Sequence, residues 1–201
     1  MKNFLKSLFF SVLLLLPFSA SIAAEKFILD NQHTYVLWEI EHLGFSTQAG
    51  KWYVNGEILL DKDHPENSSV NATIKIADLV TGIPELDKHL KAALFFDEAQ
   101  YPTATFVSKK VKVLSNNSAK VDGILTMHGV SKPVTLNVQM NKVGKNPLTD
   151  KMTVGFTATT VLKRSDFGVN ALLPNLGDEV KIKIGAEAYQ AANPQGLNNA
   201  D

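Results

Sequence analysis

The sequence predicts an all-β protein: one extended antiparallel β-barrel of about eight strands, with a short helix near one end. Three observations carry this. Apolar and polar residues alternate with a period of two along most of the chain, the signature of strands with one buried face. Turn residues separate many of these runs closely enough for hairpins. The chain has no cysteine, so a large core must do what disulfides do in small secreted domains.

The N-terminus reads as a leader. Lys2 and Lys6 precede an apolar run over Ser7–Phe18, then small residues (Ser19, Ala20, Ser21, Ala23, Ala24), then Glu25 and Lys26. This is the order of a secretory signal peptide over residues 1–24, cleaved after Ala23 or Ala24. A run of roughly a dozen residues is short for a bilayer that needs about 20, and Pro17 interrupts it. Without cysteine there is no lipoprotein anchor. Cleavage leaves about 177 residues, the size of one domain with a substantial core. The barrel domain is expected over residues 25–190, followed by a disordered Asn-, Ala- and Gly-rich tail over 191–201. The formal net charge of zero becomes about minus two without the leader. No basic stripe points to nucleic acid, and no polybasic segment points to an anionic membrane surface. The lack of cysteine also excludes thiol nucleophiles, thiolate metal sites and thiol redox chemistry.

The strands follow in order. Val36, Trp38, Ile40 and His42 share one face, with Glu39 and Glu41 opposite. Trp52, Val54, Gly56, Ile58 and Leu60 form the next set, and Val70, Ala72, Ile74 and Ile76 another. Thr103 to Val113 is strand-like, but its two faces are hard to tell apart. Val121, Gly123, Leu125 and Met127 alternate with polar residues, except for Ile124. Val134 to Met140, Met152 to Ala158 and Val180 to Ala188 complete the set. One-sided strands close either as a sandwich or as a barrel. The hairpin links Asn116-Asn117-Ser118 and His128-Gly129 favour a sequential meander, hence a barrel. Pro84 suits the first turn of a short helix, with Leu86, Leu90 and Leu94 at a spacing of four, covering one barrel end.

An eight-stranded barrel is just wide enough to be filled by side chains or to hold one small ligand. The inferred inner face mixes bulky residues (Trp38, Trp52, Met140, Phe156) with small ones (Gly56, Ala72, Gly123, Ala158, Ala186). That mixture suits a tapered apolar cavity and an interlocked core about equally. Phe167, Val169, Leu172, Leu173 and Leu176 lie in a long stretch with few strand signals, and Phe95 and Phe96 follow the helix. Such residues either line a barrel mouth or plug it.

Signatures of catalysis are sparse. The five histidines form no HExxH or other tight ligand pair, and His33 and His42 lie roughly 30 Å apart if extended. His42 continues the face of Trp38 and can reach a polar head group, or it is a structural histidine at a strand end. No GxSxG elbow is present. Arg164 and Asp166 either pin the long loop, with each other or with Asp178, or present a polar contact at the mouth. No catalytic residue, metal site or cofactor is assigned.

Short motifs then recur in a fixed order: Gln32-His33-Thr34, Glu41-His42-Leu43-Gly44, Gly50-Lys51-Trp52, Asp87-Lys88-His89-Leu90 and Phe95-Phe96-Asp97. Tyr101-Pro102-Thr103-Ala104-Thr105-Phe106, Gly123 to Val134, Arg164-Ser165-Asp166-Phe167-Gly168 and Gly177-Asp178-Glu179-Val180 continue the order. From about Phe27 to Ala188 the chain resembles the YceI-like family of bacterial polyisoprenoid-binding proteins. The resemblance implies an extended eight-stranded lipocalin-like barrel, commonly periplasmic, with a long isoprenoid or other amphiphile in its lumen. Family members are carriers or sequesterers of such lipids, some respond to base or osmotic stress, and no catalytic role is established for them. Two features depart from the family: the residues around Ile83-Pro84-Glu85, and the Asn-rich tail.

The expected function is therefore that of a periplasmic binding, carrier or sequestering protein for a long-chain isoprenoid (quinone-like or polyprenyl) or fatty amphiphile, and not an enzyme. Each buried methylene adds about 0.8 kcal/mol, so few polar contacts are needed. Trp38, Trp52, Phe106, Phe156 and Phe167 are expected to line the lumen, with Phe95 and Phe96 at the mouth and His42, Arg164 and Asp166 near a head group. The alternatives are a lipid-modifying enzyme with polar groups at the mouth, or a structural or interaction protein with a filled lumen. A homodimer is left open.

Overall fold

Alternation becomes strand along nearly the whole described chain. The structure, a computed structural model, describes residues 24–191. The expected leader and tail fall, but for Ala24 and Ala191, outside those residues. The strands are β1 (Glu25–Leu29), β2 (Tyr35–His42), β3 (Ser46–Leu60), β4 (Ser69–Lys75) and β5 (Thr103–Ser115). They continue as β6 (Ser118–Met127), β7 (Val130–Lys145), β8 (Met152–Lys163) and β9 (Leu176–Gln190), with one helix, α1 (Pro84–Lys91).

From β2 onward each strand pairs antiparallel with its successor, and β9 returns to pair with β1 and β2. Both β1 and β2 run between β3 and β9, so they are one strand interrupted over residues 30–34. Nine segments thus fill eight positions of a closed barrel, an up-and-down meander as the hairpin spacing predicts. Thr34 secures the interruption. It is almost fully buried; its hydroxyl donates to Glu187 O (2.9 Å) and accepts from Glu187 N–H (3.1 Å).

Local irregularities shape the wall. One edge of β3 pairs with β2 and then β1, while the other edge switches from a single bridge at Lys51–Val80 to the ladder with β4 at Val54. Near that switch Gly56 has φ +149°, and a Cβ there would overlap the Asn71 carbonyl, so only glycine fits. β5 carries a bulge between Ser108 and Lys110. Ala104 and Phe106 face inward before it, and Val111, Val113 and Ser115 after it. The inward set passes from even to odd positions, which hides the faces of this strand from any period-two reading.

The β2–β3, β4–β5, β6–β7 and β8–β9 connections share one end, because alternate strands of a meander point the same way. Residues 76–102, with α1, cover that end. The helix stops at Lys91, since Ala92 is extended, and so the expected spacing of four breaks: Leu94 is 59% exposed while Phe95 takes the buried position. The core divides in two. Phe27, Leu29, Val54, Ile58, Leu60, Val154 and Ala188 pack where β1, β3, β8 and β9 meet. Trp38, Ile40, Trp52 and Leu79 pack toward the helix end, against Leu90 and Phe96.

Candidate ligand-binding site

Between the two clusters and the opposite wall lies a cavity of about 290 Å³, to which all nine strands contribute. Ligand sites run from roughly 300 to 1,000 Å³. Its lining follows β6 from Ser118 to Met127, roughly 30 Å of extended strand. No Asp, Glu, Lys, Arg or His is among the lining residues. Valine, leucine, isoleucine and alanine dominate, with Trp52, Phe106, Phe156 and Met140 as the large members.

The balance of residue volumes explains the space. Bulky Phe27, Trp38 and Trp52 lie on the β1–β3 side, whereas Ala72, Ala104, Ala119, Ala158 and Ala186 line the arc from β4 to β9. Gly123 extends this arc, and a Cβ there would overlap the Phe106 ring. The edge of the ring therefore packs onto β6 in the space that Gly123 leaves. Phe106, Met140 and Phe156 share this arc with the alanines, Phe106 opposite Ala72 and Phe156 opposite Ala186, and the cavity remains beside them.

The two ends differ. At the helix end Trp52 forms part of the floor, backed by Trp38 (ring centroids 6.1 Å) and Phe96 (5.1 Å, edge-on), while its indole N–H reaches Ile76 O at 3.4 Å. Ile76, Leu79, Phe95, Phe167 and Val169 are all buried at this end. Trp38 Nε1 is the one buried side-chain polar atom without a partner among the described residues. At the other end Ser68, Ser69, Ser115, Asn116, Asn117 and Ser118 join the lining, and Ser115 to Asn117 are exposed. The apolar cavity opens there, through a polar rim opposite the helix.

Of the site residues expected from sequence, Trp52, Phe106 and Phe156 line the cavity. Trp38, Phe95, Phe96 and Phe167 are not among its lining and belong to the packing of the helix end, the plug that the sequence left open as an alternative. Phe95 stacks edge-on to His89 (4.9 Å), and Phe167 O bonds His128 Nδ1 at 3.1 Å. His42 ends β2 opposite Ser46 and Leu176, away from the lining. Asp166 is exposed on the far side of its turn.

Arg164 is buried, and its guanidinium donates to four backbone carbonyls: Val169 (2.8 Å), Ala171 (2.8 Å), Leu176 (3.1 Å) and Gly177 (2.7 Å). Arginine alone offers five donors in a rigid fork, so one side chain collects the ends of the whole β8–β9 loop. Burial lowers its pKa, and the charge of Asp178 opposes that. Asp178 accepts from Ser165 N–H (2.9 Å) and Ser165 Oγ–H (2.8 Å). Burial raises the Asp178 pKa, but these bonds and the charges of Arg164 and Lys163 outweigh it, and the net direction is down. The pinning partner of the loop is thus Asp178 and the backbone, with no bond to Asp166. Sequence reasoning missed the rim at Ser115 to Ser118, although the hairpin signal at Asn116-Asn117 marked its position.

Among the described residues no group of three or more His, Asp or Glu side chains is placed to hold a metal, and no helix is long and apolar enough to cross a membrane. Fold and cavity together define a closed antiparallel barrel built around a long apolar pocket. The YceI-like domain profile matches residues 27–188, and the chain belongs to that family. Protein YceI of Escherichia coli is 36% identical over 191 residues, covering 94% of this chain and 99% of its own. The crystal structure of a Campylobacter jejuni YCEI protein superposes with a TM-score of 0.68 at 32% identity, covering 75% of this chain and 90% of that one. A polyisoprenoid binding domain from Saccharophagus degradans shares the fold, with a TM-score of 0.63 at 16% identity over 82% of this chain and 98% of its own.

Proposed function

We propose that this protein is a periplasmic carrier or sequestering protein that holds a long-chain isoprenoid, or a similar amphiphile, in its lumen. The observation that carries the proposal is the cavity itself: about 30 Å long along its wall, free of charged side chains, and edged with serine and asparagine at its open end. Apolar burial at about 0.8 kcal/mol per methylene supplies affinity without a dense polar site. The fold likeness to a polyisoprenoid binding domain supports the same ligand class. Export through the N-terminal leader, whose order of basic, apolar and small residues is read from the sequence, would place the protein in the periplasm. An enzyme that modifies the bound lipid needs titratable groups facing the lumen, and the lining offers none.

Native mass spectrometry of protein purified from the periplasm tests the proposal and also reads the oligomeric state. A co-purifying lipid of defined mass supports it. Repeated recovery of empty protein that takes up no added isoprenoid overturns it.

A further inference from the structure

The mouth lies beside an unusual strand edge. The β4–β5 ladder ends at Asn71–Val107, yet β5 continues to Ser115 paired only with β6. Residues 109–115 therefore border a slot whose other side is the turn at Pro65–Asn67, and Pro65, Ser68, Val111 and Val113 line the cavity there.

The outer face of this hairpin is basic. Lys109, Lys110 and Lys112 on β5 and Lys120 on β6 are all exposed, against one acidic residue, Asp122, which stands opposite Lys110 and accepts from Thr135. Lys112 stands directly opposite Lys120, a like-charge pair that costs stability. None of the four lysines makes an ion pair among the described residues. No polybasic run appears in the sequence, because the patch forms only when two strands are brought side by side. Beside it, at the rim, Val113 and Leu114 are 41% and 54% exposed. Lysines alone would serve to protect a free edge from pairing with another chain. Exposed valine and leucine on the same edge work against that purpose. Apolar side chains beside an excess of lysines match the headgroup region of an anionic bilayer, whose phosphates attract cations while its acyl boundary accepts methyl groups.

We propose that the tip of the β5–β6 hairpin docks the barrel mouth onto an anionic lipid surface. Leu114 enters the interface, and Lys110, Lys112 and Lys120 meet lipid phosphates. The proposal rests on the carrier reading, since it brings the apolar cavity to the place where an amphiphile resides.

Sedimentation with phosphatidylcholine vesicles, with and without about one-third phosphatidylglycerol, tests it. Each lysine near such a surface is worth about a five-fold change in partition, so Lys110→Glu/Lys112→Glu/Lys120→Glu should weaken binding at least about ten-fold. High salt should do the same to the wild type. Leu114→Ser should weaken binding with all charges on β5 and β6 intact. Absence of sedimentation with the phosphatidylglycerol vesicles, or equal binding by the triple variant, overturns the proposal. Salt-dependent capture of an acidic protein without vesicle binding also overturns it. Lipid content measured on the same samples separates the two readings. A loaded barrel that ignores vesicles refutes docking alone, and a barrel that docks yet is always empty refutes the carrier alone.

Discussion

Replacing Arg164 with alanine removes four donors from backbone carbonyls of the β8–β9 loop and the start of β9. The bond to Val169 O is fully buried, and those to Ala171, Leu176 and Gly177 are partly so. A buried orphan costs about 1–3 kcal/mol, while partly buried carbonyls recover much of their loss from water. Adding the lost packing of a buried side chain gives about 3–5 kcal/mol for the substitution. For a domain of this size each kcal/mol shifts Tm by about 2–4 °C, so the expected drop is roughly 6–20 °C. Arg164→Lys should fall between the two, because an ammonium cannot span four acceptors set around a planar fork. Thermal unfolding followed by circular dichroism reads both variants, and native mass spectrometry reads their lipid. A fall of less than about 1 kcal/mol would refute the pinning role. An unchanged Tm with loss of lipid would instead place Arg164 at a head group, as the sequence allowed.

Three further outcomes are expected. Gly123→Val places side-chain atoms where the Phe106 ring lies, so it should cost about 1–3 kcal/mol and reduce lipid retention as the ring swings into the lumen. Retention equal to wild type would show that Phe106 escapes elsewhere. Trp38→Phe removes the unpartnered indole N–H and keeps most of the packing, so it should change stability by less than about 1.5 kcal/mol, against about 3–5 kcal/mol for Trp38→Ala. Urea titrations that give equal losses would refute this. The Asp178 carboxyl sits below its unfolded value of 3.8, so its contribution is present above that pH and is lost as pH falls through the lower folded value. Asp178→Asn should therefore weaken the pH dependence of stability below about pH 4. An acid limb identical to wild type would exclude the group.

Period-two alternation made β2, β4 and β6 to β9 legible, because each keeps one parity over most of its paired length. β1 escaped because Glu25–Leu29 is short and follows directly on the leader. β5 resisted because its bulge reverses parity midway, so no single face exists to be read. In the site, Trp52 and Phe156 were legible as inward positions of regular strands, whereas Phe106 sits on β5, whose faces alternation does not separate. Trp38 has the same parity as Val36, yet lies two residues nearer the sealed end, and alternation carries no information about depth along the barrel axis. For the same reason the end that opens could not be told from the end that closes. Apolar residues in the long connections signalled burial, and only the fold reveals that they stop one end.

The polar rim and the aromatic floor give the lumen a direction. An amphiphile that enters from the rim goes in tail first, because serine and asparagine partners for its head group cluster there, at Ser68, Ser69 and Ser115 to Ser118. Chain length is then measured from the inside outward. A tail shorter than the lumen leaves empty space above Trp52, and a longer one leaves its surplus beyond the rim. On the carrier reading, such a protein would display the chemically distinctive end of its cargo while hiding the featureless part, and would grade ligands by length as a ruler does.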